Sequence, residues 1–395
     1  MGKFFKSLMD VQSARKIFLD AAQPIKSIEI LPVETADHRI LADDIVSEMD
    51  VPHYSRSAMD GYAVKADDII GASPSSPVVL KLTDGDITSN TCSIVHTGSP
   101  IPRGADAVVM LEDSRVIKAT VEITTQVYPG KNVGEIGEDV AAGEMVFKAG
   151  HQLRPADLAV LGSMGIRDIE VFHKPLIAII PTGEEVVPRG IPLESGQVWE
   201  TNSLMTASYV SRTGGIPRIN DIVSDDPQLI CKAIHANSDA NMLIICGGTS
   251  VGKRDHVAAV IKEMGELPVH GIAISPGKPT ALGIFNKKPI LCMPGYPVAG
   301  YIALLAFGKD MIRKIGHIPL TQEKILKLPL YRKITSRQGY ETYVRVRIKD
   351  DTTVEPVMTS GAGILSSVAK ADGYVIVPPN IEGYGAGTMV DVILF

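Results

Sequence analysis

Four cysteines in 395 residues leave this chain without a disulfide framework or a cysteine metal site. Cys92, Cys231, Cys246 and Cys292 are far apart, and three sit in or beside apolar runs. They read as reduced core residues of a cytoplasmic protein. An excess of positive charge is missing too. With 39 basic against 45 acidic residues the net charge is −6, which argues against a nucleic-acid-binding surface. A local pocket for a small anion needs no basic total. Long hydrophobic runs are also lacking. The longest uncharged stretch, 289–307, is broken by "PGYP" and Gly300, which predicts a strand, a turn and a core helix, not a membrane span. The opening "MGKFFKSLMDVQSARKIF" mixes Lys, Asp and Arg into its apolar residues and does not read as a cleavable signal. No internal repeat or low-complexity linker is apparent, and the histidines show no ligand spacing.

What is present is a chain too long for one core, so several domains are expected. Residues 1–50 and 141–174 are expected to form a discontinuous N-terminal linker domain, with helices at "DVQSARKIFLDAA" and "RPADLAVLGSM". Residues 51–140 are short apolar runs cut by Gly, Pro, Asp and Ser, which predicts a β-rich domain; "VIKATVEITTQVY" reads as one strand segment there. Residues 175–318 alternate near-continuous apolar strands with helices. That pattern predicts a central doubly wound α/β domain around a parallel sheet covered on both faces. Residues 324–395 return to period-two alternation and predict a small C-terminal β-barrel.

In an open parallel sheet, ligands bind beyond the carboxyl ends of the strands. The loops "PTGEEVVP", "SDDP", "CGGTSVGKRDH" and "MPGYP" fall there. Each can be a plain turn, since turns need Gly and Pro. The third is richer. Gly247, Gly248 and Gly252 would let backbone amides approach a phosphate, Thr249 and Ser250 add hydroxyls, and a helix follows. It has neither Walker A nor dinucleotide-binding spacing. Asp225 and Asp226 before Pro227 are both helix-cap candidates, as is Asp255 before its helix. Yet Glu185, Asp225 and Asp255 share one predicted sheet edge, and three carboxylates beside a phosphate loop suit a hydrated Mg²⁺. Lys278, between Gly and Pro in "SPGKPTALG", offers a fixed cation for an oxyanion.

The segments "SAMDGYAV", "TGSPIPRGADAVVMLED", "GEDV", "PTGEEVVP", "GGTSVGKRDHV", "SPGKPTALG" and "MPGYPVAG" together resemble the MoeA family of molybdopterin molybdenumtransferases, which includes the E domain of gephyrin. The resemblance spans about residue 10 to the C-terminus. It implies a four-part architecture whose central domain is molybdopterin-binding, and a homodimer with its pocket between subunits. The implied reaction moves molybdenum from molybdate into adenylylated molybdopterin, with Mg²⁺ required and AMP lost. By position, Asp60, Thr97, Asp139, Glu185, Asp225, Asp255 and Lys278 carry catalysis, and Asp60 and Thr97 serve the partner subunit's pocket. Thr182, Gly183, Gly247, Gly248, Thr249, Ser250, Gly252, Pro294, Gly295 and Pro297 line the cofactor site.

Three positions depart from the family's usual residues: Ser275 replaces a basic residue, Tyr296 an amide and Gly134 an arginine. Lys253, Arg254 and His256 stand where Glu, x and Tyr are usual around Asp255. Two further readings stay open. A molybdopterin adenylyltransferase usually consists of the α/β domain alone, which the extra β-rich regions disfavour; such an enzyme also fits as a handover partner. A non-catalytic molybdopterin-binding scaffold on the same dimer is the other.

Overall fold

The computed structural model describes residues 8–248, 256–320, 323–350, 352–358 and 361–395. The chain divides into two compact units: residues 1–29, 38–42 and 170–395 in one, 30–37 and 43–169 in the other.

The larger unit is built on a six-stranded sheet. Its strands are β1 (Leu176–Pro181), β2 (Ile216–Ile219), β3 (Met242–Cys246), β4 (Glu266–His270), β5 (Ala281–Phe285) and β6 (Lys288–Met293), in the order β2-β1-β3-β6-β5-β4. Strands β2, β1, β3 and β6 run parallel. Strand β5 is antiparallel to both of its neighbours, so the sheet is mixed where the sequence pattern predicted only parallel strands. The reason is local: β5 and β6 are joined by the two-residue turn Asn286-Lys287, too short for any crossover.

Period two sorts the strand residues between two cores. Ile177, Ile179, Met242, Ile244, Leu291 and Met293 face one side; Ala178, Ile180, Leu243, Ile245, Ile290 and Cys292 face the other. Helices α1 (Asn202–Arg212) and α4 (Pro297–Ala303) cover the first face, while α2 (Pro227–Ala236) and α3 (His256–Met264) cover the second. This is the doubly wound arrangement. Each fully buried Ile contributes roughly 1.5–3 kcal/mol, which explains why β3 is apolar along its whole length.

The C-terminal strands are β7 (Ile325–Pro329), β8 (Glu341–Lys349), β9 (Thr353–Met358), β10 (Gly373–Val377) and β11 (Met389–Leu394), ordered β9-β8-β10-β11-β7. Leu330 bridges Val354, and the Tyr331 N–H donates to the Val354 carbonyl at 2.8 Å, closing the ring into a barrel. Val344, Val346, Val375, Val377, Val390 and Val392 fill it. Tyr343 and Tyr374 point the other way and join the core under α1 and α4.

The smaller unit holds a six-stranded sheet ordered 107–110, 61–64, 91–95, 78–82, 120–123, 114–117. "VIKATVEITTQVY" is therefore two antiparallel strands folded at Lys118-Ala119, with Lys118 at φ 59°. Gly61 is required there by contact: a Cβ would lie 2.0 Å from the Val109 carbonyl oxygen. None of the four cysteines is in a disulfide, and Cys92, Cys246 and Cys292 are buried. Among the described residues no helix is long and apolar enough to cross a membrane.

Helix Pro155–Ser163 is capped by Asp157 of its own first turn. The buried Asp157 carboxylate accepts from the Arg154 N–H at 2.9 Å and from its guanidinium at 2.9 and 3.1 Å, and His151 Nε2 lies 2.8 Å away. The Arg154 bonds, helped by His151, hold this carboxyl at about 2, against 3.8 ordinarily. The folded state thus favours the ionised form, so the stability it contributes is present above pH 3.8 and is lost as pH falls toward about 2. Asp157→Asn should lower the urea-unfolding free energy of the protein at pH 7 by roughly 1–3 kcal/mol. The gap to wild type should shrink below about pH 4; a gap independent of pH would refute the assignment.

Candidate functional site

Strand order reverses at β1, which lies between β2 and β3, and such a reversal opens a crevice beyond the carboxyl ends of β1 and β3. Three loops meet there. The Thr182 N–H after β1 donates to the Cys246 carbonyl at 3.0 Å, and the Gly247 N–H after β3 donates to the Met293 carbonyl of β6 at 3.0 Å. The Gly183 N–H donates to the Val223 carbonyl at 3.2 Å. The amides of Thr182, Gly183 and Gly247 are thus engaged within the protein, and these glycines serve close approach. At Gly247, φ is 112° and a Cβ would sit 2.7 Å from the Thr182 carbonyl oxygen. Gly295, after β6, comes within 3.8 Å of the Gly247 Cα by the same measure. Beside Gly248 a Cβ would meet Val257 of α3 at 2.4 Å. Thr249, Ser250, Gly252, Lys253, Arg254 and Asp255 lie outside the described residues.

The adjacent aspartates divide their work. Asp226 is the cap of α2, its carboxylate accepting from the Gln228 and Leu229 N–H groups at 2.8 and 3.0 Å. Asp225 is left to face the loop after β1. Burial pushes its carboxyl up, and the negative charges of Glu185 and Glu184 add to that; His256 and the Glu184 backbone N–H act in the opposite sense. So Glu185, Asp225 and His256 share one electrostatic neighbourhood at the crevice. Two carboxylates held against mutual repulsion are a donor set that suits a hard divalent cation. Among the described residues no group of three or more His, Cys, Asp or Glu is arranged to hold a metal, and the third expected carboxylate, Asp255, is not among them. Cys246, at the end of β3, is no nucleophile: burial pushes its thiol up to about 12.

Beyond Glu185 the loop continues as Val186–Val187, paired in parallel with Val198–Trp199; the Val198 N–H donates to the Glu185 carbonyl at 2.9 Å. Trp199 is half exposed, with its indole N–H on the Ile191 carbonyl at 2.7 Å. Next, the buried Glu200 carboxylate accepts from the Ser203 N–H at 2.7 Å and from its hydroxyl, capping α1. Asn202 Nδ2 then donates to the Gly295 carbonyl at 2.9 Å.

Lys278 is exposed on a tight turn in which Thr280 donates to the Gly277 carbonyl through both N–H and hydroxyl, at 2.9 and 2.6 Å. The preceding Ile274–Ser275 pairs with Glu341–Thr342, so this turn abuts the start of β8. Pro294 is buried and Pro297 opens α4. Tyr296, 68% exposed, has its ring 3.3 Å from where a Gly363 Cβ would be, and the Val298 N–H donates to the Ala362 carbonyl at 3.0 Å. The barrel therefore meets both the Lys278 turn and the Pro294–Pro297 loop.

One charged residue of the barrel is invisible to motif reading. Arg345 on β8 is 2% exposed, and among the described residues its Nε and Nη2 have no hydrogen-bond partner. Alternation places it on the face of Tyr343, opposite the barrel interior, and desolvation lowers its guanidinium below the usual value. A buried cation with unpartnered nitrogens is costly to the fold.

In the smaller unit Asp60 and Thr97 are brought together. The Thr97 N–H and hydroxyl donate to Asp60 Oδ1 at 2.7 and 3.2 Å, which holds that carboxyl below its ordinary value. Exposed Asp139 follows Glu138, which pairs with Arg56 at 2.8 Å. Gly134 lies directly opposite Arg56 across two strands, and a Cβ there would come within 2.7 Å of the Glu138 carboxylate. A guanidinium, that of Arg56, therefore stands on the facing strand beside position 134.

Comparison with known proteins matches these parts in order. Residues 9–165 match the MoeA N-terminal region (domain I and II), 178–314 a probable molybdopterin binding domain, and 327–395 the MoeA C-terminal region (domain IV). A Methanocaldococcus jannaschii protein described as a putative molybdopterin biosynthesis protein is 39% identical over 99% of both chains. A Mycobacterium tuberculosis protein named molybdopterin molybdenumtransferase 2 is 28% identical over 98% of this chain and 99% of its own. The crystal structure of the molybdopterin biosynthesis moeA protein from Pyrococcus horikosii superposes with a TM-score of 0.84 at 31% identity, covering 98% of this chain and 99% of that one. With the motifs, the doubly wound core, the terminal barrel and near-complete coverage in agreement, the chain belongs to the MoeA family.

Proposed function

We propose that this protein is a molybdopterin molybdenumtransferase: it moves molybdenum from molybdate into adenylylated molybdopterin, with release of AMP, in a Mg²⁺-dependent reaction of the cytoplasm. The observation that carries the reading is the gathering of Asp225 and Glu185 at the switch-point crevice, since a phosphoanhydride substrate brings negative charge that carboxylates accommodate only through a cation. Glu185 and Asp225, with Asp255, are the residues that would hold Mg²⁺. Bound there, the ion would offset phosphate charge as the anhydride breaks. The protein's own part is positioning and charge. Gly183, Gly247 and Gly295 let the loops close on the substrate without side chains between them. Lys278 supplies positive charge for the tetraoxo-anion. No side chain need become covalently attached, which agrees with the protonated Cys246 thiol.

The partner reading extends this. A second copy of the chain completes the site, with Asp60 and Thr97 of one copy serving the other's crevice, and an adenylyltransferase hands over the nucleotide-bearing pterin.

Purified protein given adenylylated molybdopterin, molybdate and Mg²⁺ should release AMP, read by chromatography, and Asp225→Asn should slow release at least roughly 100-fold. A protein that releases none would sink the assignment. If the pocket combines residues of two copies, mixing inactive Asp60→Ala and Asp225→Asn chains should restore about a quarter of wild-type activity, because half of the dimers gain one intact pocket. No recovery would mean that each copy works alone. Arg345→Met should leave the unliganded protein as stable or raise stability by about 1–4 kcal/mol, since it removes an unpaired buried charge. A thermal midpoint that falls in this variant would mean that the guanidinium has a partner on which the fold depends.

A further inference from the structure

Helix α1 does not need Asn202. Its first turn is capped by the Glu200 carboxylate on Ser203, and the residue at the N-cap position, Thr201, makes no side-chain cap bond. The Asn202 amide instead reaches across to the loop after β6, where Nδ2 donates to the Gly295 carbonyl at 2.9 Å. That bond fixes which way the amide faces, because the flipped orientation would set oxygen against oxygen. The cost appears at the other end: among the described residues Asn202 Oδ1 is shut off from solvent and has no partner. A sealed, unpaired acceptor is destabilising, and nothing in the packing of α1 calls for it.

Gly295 has little else to hold it. It is exposed, it carries no side chain, and among the described residues a Cβ there would find only the Gly247 Cα within 4 Å. The loop is tied further along, where Val298 bonds Ala362 and Tyr296 rests by Gly363. At Gly295 itself, the tie that faces the crevice is Asn202.

We infer that Asn202 is a positioning residue: its Nδ2 sets Gly295 against Gly247 and so fixes the width of the crevice between the loops after β3 and β6, at the expense of an unpaired oxygen. The inference rests on the reading that this crevice takes the nucleotide-bearing substrate. A residue kept for position at the cost of stability has a signature that a structural residue lacks, because removing it moves stability and binding in opposite directions.

The test uses AMP with Mg²⁺ as the probe on the full chain, with calorimetric affinity and thermal midpoint measured for wild type, Asn202→Ala and Asn202→Asp. Asn202→Ala should keep or raise the midpoint while weakening AMP roughly tenfold. Asn202→Asp, which keeps an oxygen but has no donor for Gly295, should weaken AMP at least as much. Unchanged affinity in either variant overturns the inference, as does a fall in midpoint with affinity intact. A wild-type protein that binds no AMP overturns the reading of the crevice along with it, whereas binding that ignores both substitutions overturns the role of Asn202 alone.

Discussion

The architecture of the crevice depends on backbone meeting backbone with no Cβ between. Gly247 lies so close to Thr182 that any side chain would strike a carbonyl oxygen, and its φ of 112° is closed to other residues at ordinary cost. From that approach follow the Thr182–Cys246 and Gly247–Met293 hydrogen bonds, which lock the ends of β1, β3 and β6 together. Sheet order supplies the space and glycine supplies the contact. The carboxylates are then simply what the flanking loops deliver to the rim.

A second constraint is electrostatic. Asp225 and Glu185 are held near each other at the crevice, and among the described residues two nitrogens of the buried Arg345 have no partner. Each arrangement is unfavourable by itself, and the carboxylate pair matches a ligand of opposite sign. Sites prepared in this way store strain in the unliganded fold that the bound state relieves. Arg56 and Gly134 are Cα partners, about 5 Å apart in a ladder, so the Arg56 guanidinium lies in the neighbourhood of position 134.

The sequence pattern makes the doubly wound core and the barrel legible, since apolar runs in β1, β3 and β6 and the valines of β8 and β10 follow period two closely. Where it stops, the cause is non-local. Asp225 and Asp226 are equivalent as caps on paper, and only the position of the loop after β1 decides between them. Arg345 reads as an ordinary alternating residue of "YVRVRI"; its burial on the outer face of the barrel is a matter of tertiary packing that strand period does not report. Strands β4 and β5 were hidden by Pro268 and Gly283, which weaken the strand signal, and "NK" between β5 and β6 marks the reversal that makes one strand antiparallel. The loop glycines were legible as turn formers, but that Gly183 and Gly247 spend their amides on the protein's own carbonyls was not.

The paired segments Val186–Val187 and Val198–Trp199 give the crevice a built-in optical probe. Trp199 is the sole tryptophan of the chain. Its strand is bonded to the Glu185 carbonyl on one side and runs into Glu200 and Asn202 on the other. Its half-exposed indole makes emission sensitive to local solvation, so the intrinsic fluorescence of the protein originates three residues from the amide that holds Gly295. Events at the carboxylate rim can be followed by light without any label.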